Sequence, residues 1–305
     1  MKLSFIVPCY NEEKNIKLFY NEIDKFFKDL KYSIELVFIN DGSKDNTLNE
    51  LKKILKEKNF SVKIINFSRN FGKEAALYAG LKNCTGDYAV LIDADMQQPP
   101  RLVLKMLGII EKEKDVDIVA YYQEKRIENK MLSFLKKCFY KFIKKSTGLP
   151  FVNGASDFRL INRNVINSIL NFSEHYRFSK GIFAYIGFNT YYLPYIPEKR
   201  KCGKSSWSFK KLFKYGENGV LSFVNNPNKI ITNISIVTFI VSLVLFIFSL
   251  YNNFDLLYSL IIFMFSINFA IISFMFRFIH RNYVELIDRP IYIEKEVISN
   301  DKKSS

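Results

Sequence analysis

Histidine is scarce in this 305-residue chain, present only as His175 and His280, and Trp207 is the single tryptophan. So little imidazole argues against a His-centred active site and turns attention to oxygen donors. The four cysteines, Cys9, Cys84, Cys138 and Cys202, are widely spaced and form no CxxC pair, which argues against a disulfide framework and against a zinc site. No P-loop is present, because Gly203-Lys204-Ser205 lacks the glycine five residues earlier, and no GxGxxG supports dinucleotide binding. The N-terminus, MKLSFIVPCYNEE, has one lysine, a short β-like run and then charges. That is unlike a signal peptide, and the globular part is expected to stay on the cytosolic side.

Acidic side chains are in deficit, 30 Asp and Glu against 45 Lys and Arg, for a formal charge of +15. Such an excess implies a polyanionic partner: nucleic acid, anionic headgroups or phosphorylated substrates. The basic residues gather near the apolar end of the chain and no nucleic-acid motif accompanies them, so no nucleic acid is expected.

Long apolar segments are what the chain does have. Ile230–Phe254 and Leu256–Phe276 are uncharged and separated only by Asp255. About 20 helical residues cross a ~30 Å hydrocarbon core, so two transmembrane helices are expected at 230–252 and 256–278, within a segment 229–279. Lys199, Arg200, Lys201, Lys204, Lys210, Lys211, Lys214 and Lys229 precede the first run and Arg277, Arg281 and Arg289 follow the second. The connecting YNNFDLLY has no Lys or Arg, which puts both ends inside and the turn outside. The expectation is a multi-pass membrane protein, with a cytosolic domain over 1–228 and a cytosolic tail over 280–305, disordered after Ile298.

From Leu3 to about Gln123 short β-branched runs alternate with helical stretches: LSFIVP, IELVFIN, VKIINFS, YAVLIDA and DIVAYY, each of the first four followed by a helix. That order predicts a parallel, right-handed α/β sheet with its ligands beyond the carboxyl ends of the strands. In MLSFLKKCFYKFIKK, Met131, Phe134, Leu135, Cys138, Phe139, Phe142 and Ile143 recur at helical spacing, with lysines on the other side. This predicts a helix within 128–146, either covering the sheet or lying in anionic headgroups, the latter preferred. A second interfacial helix is expected over 205–224, with Trp207 a candidate interfacial anchor.

Asp93-Ala94-Asp95 closes the fourth apolar run. Carboxylates one residue apart on a strand point to one side, and where the strand frays they can hold a divalent cation and the diphosphate that travels with it. Equally, they can be loop carboxylates capping the next helix. The other runs end in PCYNEE, NDGS and SRNFGK, so four polar loops build one crevice.

With PCYNEE, NDGSKDNT, SRNFGKEAALYAGL, DADMQQPP, DFRLINR, RFSKG, RKCGKSSW and RPIYI in this order, the chain resembles glycosyltransferase family 2, and within it the polyprenyl-phosphate glycosyltransferases. The resemblance spans nearly the whole chain. It implies a GT-A (Rossmann-like) domain that transfers a sugar with inversion from a nucleotide sugar, by analogy UDP-linked, to membrane polyprenyl phosphate. Mg²⁺ or Mn²⁺ and a homo-oligomer are implied too. Carried over by position, Pro8, Tyr10, Glu12 and Asp41 hold base and ribose, Asp41 accepting from the uracil N3–H. Asp93, Ala94 and Asp95 lie at ribose and diphosphate, Asp95 and Gln97 ligate the metal, and Arg200 and Lys204 close over the diphosphate. Arg126 and Arg177 meet the acceptor phosphate. Asp157 matches the carboxylate near the acceptor often called a base; a phosphate monoester, with a second pKa of ~6, is already nucleophilic, so Asp157 orients the acceptor, supports the metal or pairs with Arg159. The chain departs from the bacterial pattern at Asn40, Gln98, Arg101, Gln123 and Ser206.

Three rivals stand beside this reading. A processive polysaccharide synthase would carry a QxxRW segment, and no RW occurs. An enzyme acting on a neutral lipid hydroxyl would need Asp157 as a true base. A non-catalytic sugar-nucleotide sensor or scaffold would bind donor and release no lipid product.

Overall fold

A computed structural model describes residues 1–123, 141, 144–152, 154–198, 223, 236–238, 240, 241, 243, 244, 247 and 256–300. The expected interfacial helices 128–146 and 205–224 and the first expected span 230–252 fall mostly outside these residues.

The chain runs β1 (Lys2–Cys9), α1 (Glu13–Phe27), β2 (Ser33–Asn40), α2 (Thr47–Ile54), β3 (Ser61–Phe67), α3 (Lys73–Asn83) and β4 (Tyr88–Leu91). A 3-10 turn (Pro100–Leu102) leads into α4 (Val103–Lys112), then β5 (Ile118–Gln123), β6 (Ala155–Asn162), α5 (Arg163–Leu170), α6 (Ser179–Tyr185), β7 (Thr190–Tyr195), α7 (Leu256–Leu286) and β8 (Glu294–Ser299).

The strands form one eight-stranded sheet in the order β7-β5-β6-β4-β1-β2-β3-β8. Strand side chains alternate between faces, and both faces are covered. Leu3, Phe5, Val7, Leu36 and Phe38 pack with Ile16, Phe19 and Ile23 of α1 on one side. Ile6, Val37, Ile39 and Ile65 pack with Ala75, Ala76 and Ala79 of α3 on the other. Full burial of a side chain such as Phe5 or Phe38 contributes roughly 1.5–3 kcal/mol, and so do its neighbours; this two-sided core fixes the register of the central strands. Close approach of α3 depends on Gly80, where an added Cβ would stand 2.2 Å from the Ile6 Cγ2.

β4, β1, β2 and β3 are mutually parallel. The chain leaves β1 towards β2 and β3, then returns to place β4 on the other side of β1. This reversal opens a crevice beyond the carboxyl ends of β1 and β4.

The expectation of a parallel sheet needs correction, since the sheet is mixed. β6 inserts between β4 and β5 and runs antiparallel to both, β7 pairs parallel with β5, and β8 pairs antiparallel with β3. An antiparallel strand begins where its parallel neighbours end, so the first residues of β6 lie at the crevice. The pair Leu91↔Arg159, continued two residues, sets Asp93 opposite Asp157.

The tail 280–305 carries a strand the sequence reading did not mark: Glu294–Ser299 is the edge strand beside β3, and its last residue, Ser299, falls in the part expected to be disordered after Ile298. The second expected span falls within α7, a helix of 31 residues. Among the described residues, which include only part of the α7 side chains, no helix is long and apolar enough to cross a membrane.

Candidate active site

Four loops at the carboxyl edge of the sheet are tied to one another. After β1, Asn11 adopts φ 55°, its N–H donates to Ser43 Oγ at 3.0 Å and its Oδ1 accepts from the Lys44 N–H at 2.8 Å. The Glu12 N–H donates to Thr47 Oγ1 at 2.8 Å, and the Glu12 carboxylate accepts from Asn15 Nδ2 at 2.5 Å. The loop holding Pro8, Tyr10 and Glu12 is thus bonded to the loop after Asp41.

Asp41 is buried and carries its own set of donors. The Phe71 N–H reaches Oδ1 at 2.6 Å, the Gly72 N–H reaches Oδ2 at 3.0 Å, and Asn70 Nδ2 reaches Oδ2 at 2.9 Å. Gly42, at φ +62°, makes this closure possible, because an added Cβ would stand 2.3 Å from the Arg69 carbonyl carbon. Burial pushes the Asp41 carboxyl up to about 6, against the pull of the Phe71 and Gly72 amides and of Arg69. Asp41 therefore organises the loop that opens α3, whose positive N-terminal end faces the crevice.

Lys73, the first residue of α3, connects the carboxylates. Its Nζ lies 2.7 Å from Asp93 Oδ1, 2.8 Å from Oδ2 and 3.3 Å from Asp157 Oδ2. Burial works against each of these charges. For Asp157, Lys73, Lys180 and Arg159 outweigh burial and hold the carboxyl down to about 2. For Asp93, burial with Asp95 and Asp157 nearby outweighs Lys73 and the carboxyl is raised, while Lys73 itself is held fully protonated despite its burial. Asp157 is accordingly an anion throughout the working pH range and a poor proton acceptor.

The DADMQQ loop is shaped by Met96 at φ 62°, a left-handed conformation costly for this residue type. Asp95 is buried, with Oδ1 accepting from the Gln97 N–H at 3.1 Å. Gln97 in turn accepts the Glu198 N–H at 3.1 Å, and Glu198 pairs with Arg101. This anchors the chain two residues ahead of Arg200. Asp95 and Gln97 offer oxygen donors on one loop, which suits Mg²⁺ or Mn²⁺ better than zinc. Among the described residues no group of three or more His, Cys, Asp or Glu is arranged to hold a metal.

Two of the departures from the family pattern meet here. Gln98 Nε2 donates to Ser156 Oγ at 3.0 Å, the Tyr195 hydroxyl donates to the same oxygen at 3.4 Å, and Gln123 Nε2 donates to the Tyr195 oxygen at 3.2 Å. A neutral network thus links the DADMQQ loop to β5, β6 and β7 beside Asp157. Asn40 pairs with Asn66 across β2 and β3 at 2.8 Å.

Of the residues expected from sequence, Asp93 and Asp157 are brought together, Asp95 and Gln97 share a loop, and Pro8, Tyr10, Glu12 and Asp41 line the neighbouring strand ends. Ala94 is buried in the core. Arg177, expected at the acceptor phosphate, is 5% exposed, donates to the Phe172 carbonyl and lies 4.4 Å over the Tyr78 ring. Its guanidinium is used in packing between α3 and α5. Arg126, Arg200 and Lys204 lie outside the described residues. Lys73 and Ser156 were missed; Lys73 stands in the strand-end sequence SRNFGK, yet nothing local marks its partners. Cavity size is no guide, since a cavity of about 640 Å³ lined by Lys28, Ser33, Lys56 and Ser61 sits at the opposite end of the sheet.

Comparison with known proteins agrees with this geometry. The model of the glycosyl transferase family 2 matches residues 4–170. The chain is 36% identical over 304 residues to a putative glycosyltransferase, CsbB, of Bacillus subtilis, covering 96% of this chain and 91% of that one. It is 32% identical to a prophage bactoprenol glucosyl transferase homolog of Escherichia coli, covering 97% and 99%. Mannosyl-3-phosphoglycerate synthase from Rubrobacter xylanophilus is similar in fold, with a TM-score of 0.51 at 15% identity over 72% of each chain.

Proposed function

The chain belongs to glycosyltransferase family 2, and from that premise we propose that it transfers a sugar from a nucleoside diphosphate sugar to the phosphate of a membrane polyprenol. Glycosyl transfer and the GT-A α/β fold follow from the family and the mixed sheet. The acceptor rests on full-length similarity to proteins named bactoprenol glucosyl transferase. The observation that carries the reading is the Asp93–Lys73–Asp157 bridge at the carboxyl ends of β4 and β6. It supports the reading by holding the Lys73 ammonium between two strand-end carboxylates beside the crevice.

In this reading Asp41 and the 70–72 amides shape the base pocket, and Asp93 and Asp95 lie along ribose and diphosphate. Asp95 and Gln97 would hold Mg²⁺ or Mn²⁺, which supplies neutralisation of the leaving diphosphate. The acceptor's phosphate oxygen attacks the anomeric carbon in line as the bond to the diphosphate breaks, with inversion and no covalent enzyme intermediate. Lys73 and Asp157 position that phosphate, and no proton need be removed from it. Arg200 and Lys204, just beyond the anchored Glu198, are assigned to the diphosphate, and Arg126 to the acceptor phosphate.

The membrane hairpin at 230–252 and 256–278 belongs to the same proposal. Ile261, Phe265, Phe269, Ile272, Phe276 and Ile279 follow one another at three- and four-residue spacing along α7 and are all exposed. An apolar stripe of that length fits acyl chains.

The test is a detergent-solubilised assay with undecaprenyl phosphate or diacylglycerol, Mg²⁺ or Mn²⁺, and a panel of nucleotide sugars. One donor is expected to give a lipid-linked sugar with the phosphate acceptor alone. Product from diacylglycerol would transfer the assignment to a hydroxyl acceptor, and tight donor binding with no product would make the protein a sensor.

A pH profile separates a base from a positioning carboxylate. With Asp157 at about 2, the acid limb of the rate near pH 6 is assigned to the acceptor phosphate and to Asp41. Asp157→Asn is expected to lower kcat roughly 10-fold to 100-fold while leaving that limb in place. Disappearance of the limb in the variant would identify Asp157 as the base.

A further inference from the structure

Beyond α7 the chain returns to the sheet, and the return reaches the donor crevice. Glu285, in the last turn of α7, accepts the backbone N–H groups of His175 at 2.9 Å and Tyr176 at 3.3 Å. Tyr292 then lies nearly flat on Phe67, with centroids 4.9 Å apart and planes at 22°, and meets Tyr78 of α3 edge-on at 6.3 Å. The Ile293 carbonyl accepts the Ser68 N–H at 3.0 Å, and β8 pairs along Lys63–Phe67. Glu296 accepts from Asn66 Nδ2 at 3.0 Å and Lys52 Nζ at 3.3 Å. Asn300 closes the ladder, accepting the Val62 N–H at 2.7 Å and donating its own N–H to the Val62 carbonyl at 3.2 Å.

Phe67 is the pivot. Tyr292 covers one part of its ring and Phe71 meets another edge-on at 5.7 Å. Phe71 and Gly72 are the residues whose N–H groups hold the Asp41 carboxylate, and Lys73 follows them directly. A continuous set of contacts therefore runs from the end of α7 through Tyr292 and Phe67 to the loop 68–73, which carries both the Asp41 contacts and the Lys73 bridge. Left without β8, β3 would be an edge strand whose last residues, and the loop they lead into, lose one flank.

We propose that residues 291–299 are a structural part of the donor site, with Tyr292 a positioning residue that fixes loop 68–73 for the nucleoside diphosphate. The matched family segment, 4–170, ends far ahead of this strand, so the proposal adds a distant segment to the site. It rests on the reading of the Asp41 and Lys73 crevice as the donor pocket. It does not depend on which lipid accepts the sugar.

The experiment uses the full chain in detergent, with UDP and GDP binding followed by calorimetry and, separately, steady-state kinetics with undecaprenyl phosphate. Loss of the ring contacts in Tyr292→Ala is expected to weaken nucleotide binding and raise the donor KM about tenfold. The lipid KM should rise less than the donor KM, because Lys73 alone of the acceptor residues stands on loop 68–73, whereas Asp157 is held on β6. Tyr292→Phe keeps the ring and should restore both values. Should Tyr292→Ala fail to fold, Tyr292→Leu, which keeps apolar bulk without the stack, is measured in its place with the same expectation. Unchanged nucleotide affinity in a folded variant overturns the proposal, as does an equal rise in the two KM values, which would indicate general loosening. If the wild type binds UDP or GDP but makes no lipid product, the transfer reading fails while the calorimetric comparison still decides the role of Tyr292.

Discussion

Lys73→Met is expected to reduce kcat by roughly 10²- to 10³-fold, about 3–4 kcal/mol, because it leaves two half-buried carboxylates facing each other with their shared cation removed. Methionine matches the stem of lysine in length and removes only the ammonium. Lys73 Nζ touches both Asp93 and Asp157, so the loss is felt on both sides of the crevice, at donor and at acceptor. Lys73→Arg should recover part of the rate, since a guanidinium can span two carboxylates but needs more room. Stability should shift with a defined sign. Asp157, held at about 2 in the folded protein, contributes stability above the ordinary carboxyl range, and that contribution is lost as pH falls through the folded value. The stability gap between wild type and Lys73→Met should therefore narrow as pH drops from about 4 towards 2. Denaturant titrations at several pH values, beside single-turnover rates, check both points. Wild-type turnover in a folded Lys73→Met variant would reduce the bridge to scaffolding.

Asp95→Asn is expected to abolish most activity, with a fall of roughly 10²–10³ in kcat, and to do so through the cation. The substitution keeps shape and the turn-forming oxygen that accepts the Gln97 N–H, while it removes the charge and turns the other acceptor oxygen into an NH2 donor. Chelator should stop the wild type, and Mn²⁺ titration should show a weaker apparent metal affinity in the variant. Full activity of Asp95→Asn in chelator would remove the metal role altogether.

The alternation of apolar runs and helices marked β1 to β5 in the sequence, since their two-sided burial leaves near-continuous hydrophobic stretches. The edge strands were hidden by features that edges tolerate. β7 contains Pro194, acceptable because only β5 flanks it, and β8 reads EKEVIS, half of it charged, which suits an edge exposed on one side. β6 appeared in the sequence as a motif, DFRLINR, without its direction, and direction is what brings Asp157 to the crevice.

Carboxylates at strand ends were legible because a strand's polarity fixes where its last residues go. Lys73 was not, because its partners lie 20 and 84 positions away and meet only once β6 has been inserted. The burial of Arg177 was hidden for a related reason. A guanidinium in a sequence shows its charge and not its burial, and here the Tyr78 ring and the Phe172 carbonyl claim it.

Pairing of β8 with β3 joins the first 70 residues of the chain to its last dozen, and this has a consequence for biosynthesis. A ribosome exposes β3 long before it releases the residues that cover it, so the nascent domain carries a bare strand border while the apolar segments after Lys229 are still being made. Enclosing a loop of that length adds only slowly to the entropic cost, which grows with its logarithm; the penalty is delay, and with it a window for chaperone capture or mispairing. Translation stalled ahead of β8 should yield chains that are protease-sensitive near Ser68, and resistance should follow only once synthesis resumes and β8 is made.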